Sequence, residues 1–445
     1  MTTTSRTIDV QQFINSHKLA AVQIVTLLLC FFIVAVDGFD TAAIGFIAPA
    51  IRSEWSLTPA HLAPVFGAGL AGLMAGAFVF GPLADRFGRK TILMICVGFF
   101  GLMSLASAWS SSLEMLIALR FLTGLGLGGA MPNSVTLSSE YAPEKHRSVL
   151  VTTMFCGFTL GSALGGVVAA HIVAGMGWRA VLVIGGVLPL VLLPVLYFLM
   201  PESARYLVMA GRKLGQVRRV LQRIAPQEDL SNASFSVTEK AHAGFPVKHL
   251  FSAELLRGTV FLWIAFFMSL LVIYLLSSWL PTLISSTGMS LKDASLVTAM
   301  FQVGGTVGAI ALGQLMDRFK PQLVLGVTYA LAALFTALIG MSTGSTPMLV
   351  LAVFGAGFCV SGGQVGANAL SAGFYPTSSR ATGVSWANGV GRIGSVLGSM
   401  AGGLLLASGL GLPTVFAIVG MPALVTAICL MLMGRVERLQ VVAAH

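Results

Sequence analysis

The feature that most constrains this chain is a series of twelve apolar stretches, each about 20 residues long. Hydrophobic residues make up 56% of the chain, charged residues 9%, and the mean hydropathy is +0.89, which excludes an ordinary soluble domain. A backbone in lipid must satisfy its hydrogen bonds within its own segment, so these stretches predict helices and an all-α membrane protein. The predicted spans are residues 21–50, 61–84, 91–109, 113–139, 148–174, 179–200, 259–286, 291–316, 321–341, 346–372, 381–408 and 412–434.

The basic residues predict the orientation of these spans. Of the 26 lysines and arginines, 21 fall in segments on one side of the membrane, and only Arg52, Arg179 and Lys292 fall on the other. The positive-inside rule then puts both termini in the cytoplasm. The net charge of +10 is therefore an orientation signal and gives no reason to expect nucleic acid as a partner. We expect a multi-pass monomer in the bilayer of the inner (plasma) membrane.

An internal repeat divides the chain into two halves. The string Gly81 to Phe87 recurs as Gly313 to Phe319, at an offset of 232 residues, and Gly161 and Gly165 recur as Gly394 and Gly398. Each half holds an even number of spans, so the halves run the same way through the membrane as parallel repeats. We predict a cytoplasmic leader (1–20), an N-terminal six-helix bundle (21–200), a cytoplasmic linker (201–258), a C-terminal six-helix bundle (259–434) and a cytoplasmic tail (435–445).

The leader and the linker both carry amphipathic segments. Ile8, Phe13 and Ile14 are spaced for a short amphipathic turn on the inner membrane surface, and a disordered leader is the alternative. The linker holds nine basic residues, and we expect a helix over residues 214–224 that lies at the anionic inner leaflet.

Two carboxylates, Asp37 and Asp40, lie inside the first predicted span. An acidic side chain at the bilayer centre costs about 2.5–3.5 kcal/mol, so such residues mark functional sites. The three-residue spacing puts both on one helical face, with Thr41 one turn after Asp37 as a candidate hydroxyl partner. Two like charges in a poorly solvated place should not both stay ionised, so we expect the pair to share and carry a proton. The alternatives are a structural polar pair, or an acid that faces a water-filled vestibule without a coupling role.

Two arginines also lie well inside predicted spans, Arg120 in the fourth and Arg392 in the eleventh. An arginine at this depth must face a cavity or a partner rather than lipid. A guanidinium fork matches a carboxylate bidentately, so either residue suits an anion site. The alternative for each is a permanent salt bridge between helices.

The sequence argues against enzymatic chemistry. It contains no phosphate-binding Gly-Lys loop, nucleophile elbow or cluster of metal ligands, so we expect no enzyme, no cofactor, no metal site and no ATP-driven transport. The five cysteines are far apart in sequence and lie within predicted spans, where they are explained as small apolar packing residues.

The stretch Gly81-Pro-Leu-Ala-Asp-Arg-Phe-Gly-Arg-Lys90, its partial second copy and the six-plus-six repeat resemble the major facilitator superfamily over the whole chain. Within that superfamily, Asp37-Gly-Phe-Asp40, Pro201 to Arg205 and Arg380 to Arg392 resemble the aromatic acid:proton symporters, and most of all the 4-hydroxybenzoate/protocatechuate permeases. The resemblance implies alternating access by two six-helix bundles, with uptake of an aromatic carboxylate driven by protons.

The resemblance also suggests roles for the buried polar residues. Arg120 and the glycines after it resemble a fourth-helix motif whose arginine is associated with proton coupling, so we pair Arg120 with Asp37 or Asp40. Arg392 is then the expected counter-ion of the substrate. From the residues themselves we expect further substrate contacts from Asn388, one turn before Arg392, and from the mid-span polar residues Asn133, Gln302, Gln364 and Tyr274. Trp386 and Phe39 are candidate ring contacts, with core or lipid packing as the alternative.

The charged junctions between spans predict a cytoplasmic gate. We expect their arginines to pair with nearby glutamates in contacts of modest strength, and Asp85 to face the N-terminal end of a neighbouring helix. The alternative is charge that only sets topology. The second junction lacks the Gly-Arg pair and predicts a weaker gate. The gate candidates are Asp85, Arg86, Arg89, Glu140, Arg147, Asp317, Arg318 and Arg380.

Two other functions fit the same sequence. A proton antiporter could export aromatic acids or drugs, although Ser162 stands where the fifth helix of drug antiporters has a proline, which favours uptake. A membrane sensor could bind aromatic acids and signal through the linker.

Overall fold

Long helices make up most of the chain in a computed structural model, which describes residues 7–211, 214–230, 233–237, 250–252, 255–375 and 380–443, with the side chains of 148, 380, 381 and 435–443 excepted. Twelve of the described helices are long and apolar enough to cross a membrane, as the sequence predicts. They are α2 (Ala21–Glu54), α3 (Pro59–Phe87), α4 (Arg89–Ser107), α5 (Leu113–Tyr141), α6 (Arg147–Met176), α7 (Trp178–Leu199), α10 (Leu256–Ser285), α11 (Leu291–Arg318), α12 (Pro321–Met341), α13 (Thr346–Phe374), α14 (Arg380–Ala407) and α15 (Leu412–Ala443).

The remaining elements are short and belong to the leader and the linker. They are β1 (Thr7–Asp9), α1 (Val10–Ser16), α8 (Ala204–Met209), α9 (Leu214–Ile224) and β2 (Ser234–Ser236), together with a 3-10 turn at Glu144–His146.

Local sequence signals account for many of the helix ends. Ser112 caps α5 by accepting a hydrogen bond from the Met115 N–H, and Ser290 caps α11 by accepting one from the Asp293 N–H. Pro321 opens α12, where its missing N–H would have no partner in the helix anyway. Proline inside the spans, such as Pro49 in α2, does not end them, because neighbouring helices can satisfy the freed carbonyl in a membrane bundle.

The described contacts group the chain into two compact units. Unit 1 comprises Met1–Thr41, Ala71–Gly161 and Leu182–Ala241. Unit 2 comprises Ala42–Leu70, Ser162–Val181 and His242–His445. Unit 2 thus includes the C-terminal part of α2 and the N-terminal part of α3, so these units do not follow the predicted bundle boundaries, which stay a prediction.

Contacts within unit 2 explain this grouping. The Phe66 ring of α3 packs edge-on against Trp279 of α10, with 5.0 Å between ring centroids. At the end of α2, Glu54 accepts a 2.7 Å hydrogen bond from the Trp178 indole and pairs with Arg179 at 2.6 Å. The first contact ties α3 to a helix of the second half, and the second ties the end of α2 to the start of α7.

The leader and the linker pack together in unit 1. Strands β1 and β2 pair in parallel, with Ile8 opposite Phe235. Helix α1 starts at Asp9, whose carboxylate accepts a hydrogen bond from the Gln12 N–H at 2.9 Å. Its Phe13 and Ile14 side chains belong to the same buried cluster as Leu221 of α9. Among the described residues, β1 and β2 are the β-strands of an otherwise helical chain.

The linker helix occurs over the predicted residues, but its surroundings differ from the prediction. Val217, Val220, Leu221 and Ile224 of α9 are buried by protein atoms, so the apolar face that we assigned to the inner leaflet is covered by unit 1. The same holds for Phe13 and Ile14 in α1. Both segments add a narrow apolar stripe to one large buried cluster of unit 1, which also contains Tyr141 of α5 and Leu207 of α8.

Small residues let helices approach closely at equivalent places in the two halves. In unit 1, a Cβ on Gly161 of α6 would collide with the carbonyl oxygen of Ala35 in α2. In unit 2, a Cβ on Gly394 of α14 would collide with the carbonyl oxygen of Phe267 in α10. The repeat found in the sequence is therefore also a repeat of helix contacts, as expected where small residues set the distance between membrane helices.

Replacing Gly161 with alanine should destabilise the protein by about 1–3 kcal/mol, because the methyl group must push α2 and α6 apart. Thermal unfolding of the purified protein in detergent measures this loss. The matched control is Gly175→Ala in the same helix, where a Cβ would meet nothing within 4 Å. Equal melting temperatures for the two variants would contradict the close contact.

Candidate functional site

Unit 1 contains a buried polar cluster built from α2, α4 and α5. Arg120 Nη1 donates a 3.2 Å hydrogen bond to Asp40 Oδ2, and the Ser104 hydroxyl donates to Asp40 Oδ1. Arg120 Nη2 donates to Ser107 Oγ at 2.8 Å and to Thr123 Oγ1 at 3.1 Å. Asp40 and Arg120 are almost completely buried. We call these five residues the acid–arginine cluster.

The cluster decides between the two partners that the sequence left open for Arg120. The structure pairs Arg120 with Asp40, whereas Asp37, one turn earlier and fully buried, accepts a 3.1 Å hydrogen bond from the Thr41 hydroxyl. Removing one member of a buried ion pair leaves an uncompensated charge, which costs about 3–5 kcal/mol. The positions of α2 and α5 are therefore linked through this pair.

Unit 2 contains a second polar group, which connects α10, α13 and α14. Arg392 Nη1 donates a 3.0 Å hydrogen bond to the Tyr274 hydroxyl. One turn before Arg392, Asn388 Nδ2 donates to Asn368 Oδ1 at 3.1 Å. Asn368 in turn donates to the backbone carbonyl of Gln364 at 3.1 Å. We call these five residues the polar line, and they include four of the predicted substrate contacts.

The other predicted substrate residues lie outside both groups or at their edges. Gln302 donates a long 3.4 Å hydrogen bond to Ser277, and the Asn133 amide donates to the carbonyl of Gly129 in its own helix. Phe39 is buried beside Asp40 in α2. Trp386 is 45% exposed and stacks on Trp263 with 5.8 Å between centroids, so its ring packs against another aromatic residue.

Comparison with known proteins fits this architecture. Residues 30–321 and 262–443 match the family described as Major Facilitator Superfamily. The chain belongs to the major facilitator superfamily. This facilitator is 49% identical, over 97% of its length and 96% of the relative, to the 4-hydroxybenzoate transporter PcaK of Pseudomonas aeruginosa. It is 45% identical to a gallate transporter of Pseudomonas putida, over 96% of its length and 95% of the relative. These relatives confirm the resemblance to aromatic acid permeases and show a transporter rather than an enzyme.

Solved structures show the same fold at low sequence identity. A bacterial homologue of the lysosomal transporter Spinster aligns with a TM-score of 0.71 at 19% identity, covering 94% of this facilitator and 96% of the other chain. A D-xylose-proton symporter aligns with a TM-score of 0.69 at 18% identity, covering 92% and 97%. The predicted fold of two six-helix halves related by a parallel repeat is confirmed.

The charged junction of this facilitator joins helices of unit 1. Arg89 Nη2 lies 2.7 Å from Asp85 Oδ1, and Arg89 Nε lies 3.4 Å from Glu140 Oε1. The Arg86 guanidinium carbon lies 5.3 Å from the centroid of the Phe87 ring. Arg147 lines a cavity of about 160 Å³ together with Glu140. Of the predicted pairings between arginines and glutamates, the structure describes the one between Arg89 and Glu140.

Glu202 lies at the N-terminal end of α4, and the role of Asp85 at the end of a neighbouring helix stays a prediction. Glu202 Oε1 accepts a 2.9 Å hydrogen bond from the Lys90 N–H in the first turn of α4. Gly88, which separates α3 from α4, has a φ of +104°, and a Cβ there would collide with the Glu202 carboxylate. The positive φ favours glycine at this position, whereas the flexible carboxylate could shift. Asp85, near the end of α3, pairs with Arg89, the first residue of α4.

The second junction is more open. Asp317 and Arg318 are exposed at the end of α11, and the structure describes no ion pair for either within the residues that it covers. The side chain of Arg380 lies outside the described residues.

Several residues of the two polar groups were missed by sequence reasoning. Ser104, Ser107 and Thr123 are hydroxyl residues of a kind that most spans contain, so nothing in the sequence distinguishes them from residues that bond to their own helix. Asn368 had a usable signal, because it lies one turn after Gln364 and shares its helical face.

The Arg120–Asp40 pair can be tested by a double-mutant cycle. Asp40→Asn and Arg120→Gln should each lower the free energy of unfolding by about 3–5 kcal/mol, because each leaves one charge buried. The double variant should lose less than the sum of the two, since both charges are then gone. Thermal unfolding in detergent measures all four proteins, and strict additivity would show that the two side chains do not interact.

Proposed function

We propose that the chain is a proton-coupled importer of a hydroxylated aromatic carboxylate, of the 4-hydroxybenzoate or protocatechuate type, which works by alternating access. It acts as a monomer in the inner membrane with both termini in the cytoplasm. The observation that carries the proposal is the Arg120–Asp40 ion pair, which is buried inside the membrane-spanning part of unit 1. The names of relatives at 44–49% identity, 4-hydroxybenzoate transporters and a gallate transporter, support the choice of substrate.

The proton acts through the acid–arginine cluster. A proton on Asp40 removes the charge that Arg120 Nη1 faces at 3.2 Å, and thereby weakens the contact between α2 and α5. Ser107 and Thr123 hold the other end of the guanidinium, so Arg120 keeps hydrogen-bond partners when the carboxylate is neutral. Asp37 lies one turn away on the same helix and provides a second carboxyl for the proton path.

The substrate anion binds at Arg392. An aromatic carboxylic acid is ionised at neutral pH and needs a cation to hold it inside the membrane. The Tyr274 hydroxyl accepts from one guanidinium nitrogen at 3.0 Å and so fixes the plane of the fork. A fixed fork binds a carboxylate through two parallel hydrogen bonds.

The junction of unit 1 acts as the cytoplasmic gate. The Asp85 side chain is 72% exposed, so its pair with Arg89 contributes less than about 1 kcal/mol. The contact between Arg89 and Glu140 is more buried but longer, at 3.4 Å. A contact as weak as the one between Asp85 and Arg89 can break and re-form during a transport cycle.

Asp37→Asn and Asp40→Asn should each abolish accumulation of labelled 4-hydroxybenzoate in energised cells, because neither amide can carry the proton. Substrate counterflow that survives in either variant would assign that residue to coupling alone. A protonophore should collapse wild-type uptake as well. Accumulation that rises on protonophore addition would indicate export and would refute the proposal.

Arg392→Lys should raise the apparent KM for 4-hydroxybenzoate about tenfold or more, because an ammonium cannot form the two parallel bonds of the fork. Initial rates of uptake in proteoliposomes at a fixed pH gradient measure the change. The control is Lys292→Arg, a basic residue in the first turn of α11, which should leave KM unchanged. An unchanged KM in Arg392→Lys would remove this residue from the anion site.

A further inference from the structure

Gln364, near the middle of α13, is 7% exposed and carries an unusual amide. Among the residues that the structure describes, neither its Oε1 nor its Nε2 has a hydrogen-bond partner. A buried amide without partners is costly, so such groups are rare and call for an explanation. The main chain of the same residue is engaged, since its carbonyl accepts from Asn368.

The position of Gln364 relative to Arg392 follows from the polar line. Asn368 of α13 meets Asn388 of α14, and these two helices are successive spans that run in opposite directions. Gln364 lies four residues before Asn368, and Arg392 lies four residues after Asn388. Because the helices are antiparallel, both steps lead the same way along the bundle, by about 6 Å. Gln364 and Arg392 are therefore at the same level, on the faces of two neighbouring helices that the asparagines join.

Neighbouring packed helices have axes about 8–10 Å apart. Side chains fill the space between helices at this distance, so a ring that bonds both residues lies across the two faces that carry them, with its carboxylate at one helix and a ring substituent at the other. A phenolic hydroxyl donates one hydrogen bond and accepts others, and an amide offers an acceptor oxygen and a donor NH₂ group. The amide of Gln364 thus matches a ring hydroxyl in chemistry as well as in position.

We propose that Gln364 is a specificity residue that binds the ring hydroxyl of the aromatic carboxylate whose carboxylate is held by Arg392. The inference rests on the proposed function and adds the basis of selection between hydroxylated and unsubstituted rings. An unsubstituted ring leaves the amide unpaired when it binds, and a site built to bond a hydroxyl rejects the analogue that lacks it. We expect benzoate to compete about 10- to 100-fold more weakly than 4-hydroxybenzoate.

The test uses the full chain in proteoliposomes and measures inhibition of labelled 4-hydroxybenzoate uptake by unlabelled 4-hydroxybenzoate, benzoate and 4-methylbenzoate. Gln364→Met keeps the length of the side chain and removes the amide. In this variant the preference for 4-hydroxybenzoate should fall to about threefold or less, mainly through weaker binding of 4-hydroxybenzoate. The control is Thr336→Val, which removes another buried polar group of unit 2, bonded to its own helix, and should keep the wild-type preference.

The outcomes separate the inference from the proposed function. Wild-type protein that takes up no 4-hydroxybenzoate refutes the proposed function. Wild-type protein that takes it up but binds 4-methylbenzoate equally well refutes the role of Gln364, and this measurement needs no variant. An unchanged preference in Gln364→Met refutes that role as well. If Gln364→Met does not fold, Gln364→Asn replaces it, since asparagine keeps the amide on a side chain one methylene shorter. An unreduced preference for 4-hydroxybenzoate in Gln364→Asn would also refute the role of Gln364.

Discussion

The structure of unit 1 depends on how two opposite charges are kept together inside a membrane. Neither Arg120 nor Asp40 is acceptable alone at this depth, because each would be a charge without solvent or partner. Together they form a neutral pair, and the hydroxyls of Ser104, Ser107 and Thr123 add hydrogen bonds to Asp40 Oδ1 and Arg120 Nη2. Three helices, α2, α4 and α5, must therefore keep a fixed relation for as long as both charges persist. A proton on the carboxylate is the smallest change that releases this constraint.

Close helix packing passes a change in the Arg120–Asp40 pair on to the neighbouring helix. Where Gly161 touches the backbone of α2, the two helices have almost no room for small adjustments, so they move together. The contact of Gly161 with Ala35 lies just over one turn from Asp40 on the same helix. A change in the charge of Asp40 therefore acts on a packed group of helices rather than on a flexible side chain.

Much of this architecture could be predicted from the sequence, and the rest could not for physical reasons. Apolar length fixes the twelve spans, and the spacing of Thr41 after Asp37 predicts the hydrogen bond between them. The choice of Asp40 as the partner of Arg120 depends on how α2 is rotated about its axis. Hydrophobic periodicity predicts that rotation only to within one or two residues. The pairing of β1 with β2 joins segments 227 residues apart, and three-residue strands carry too little pattern to reveal a partner. The amphipathic helix α9 was predicted over the observed residues, but an apolar stripe does not say whether lipid or protein covers it.

The two halves share their helix contacts but not their buried charges. The offset of 232 residues that relates Ala35 to Phe267 places Val272 at the position of Asp40. The offset of 233 that relates Gly161 to Gly394 places Thr159 at the position of Arg392. The contact between Gly72 and Phe121 recurs as Gly304 and Phe354, which places Val353 at the position of Arg120. Val272 and Val353 are fully buried, so the second half has an apolar core where the first has its ion pair. Backbone contacts that set helix spacing tolerate little change, whereas a buried charge persists only where something uses it. An ion pair confined to one half and an arginine confined to the other are what a transporter needs if one half handles the proton and the other holds the anion.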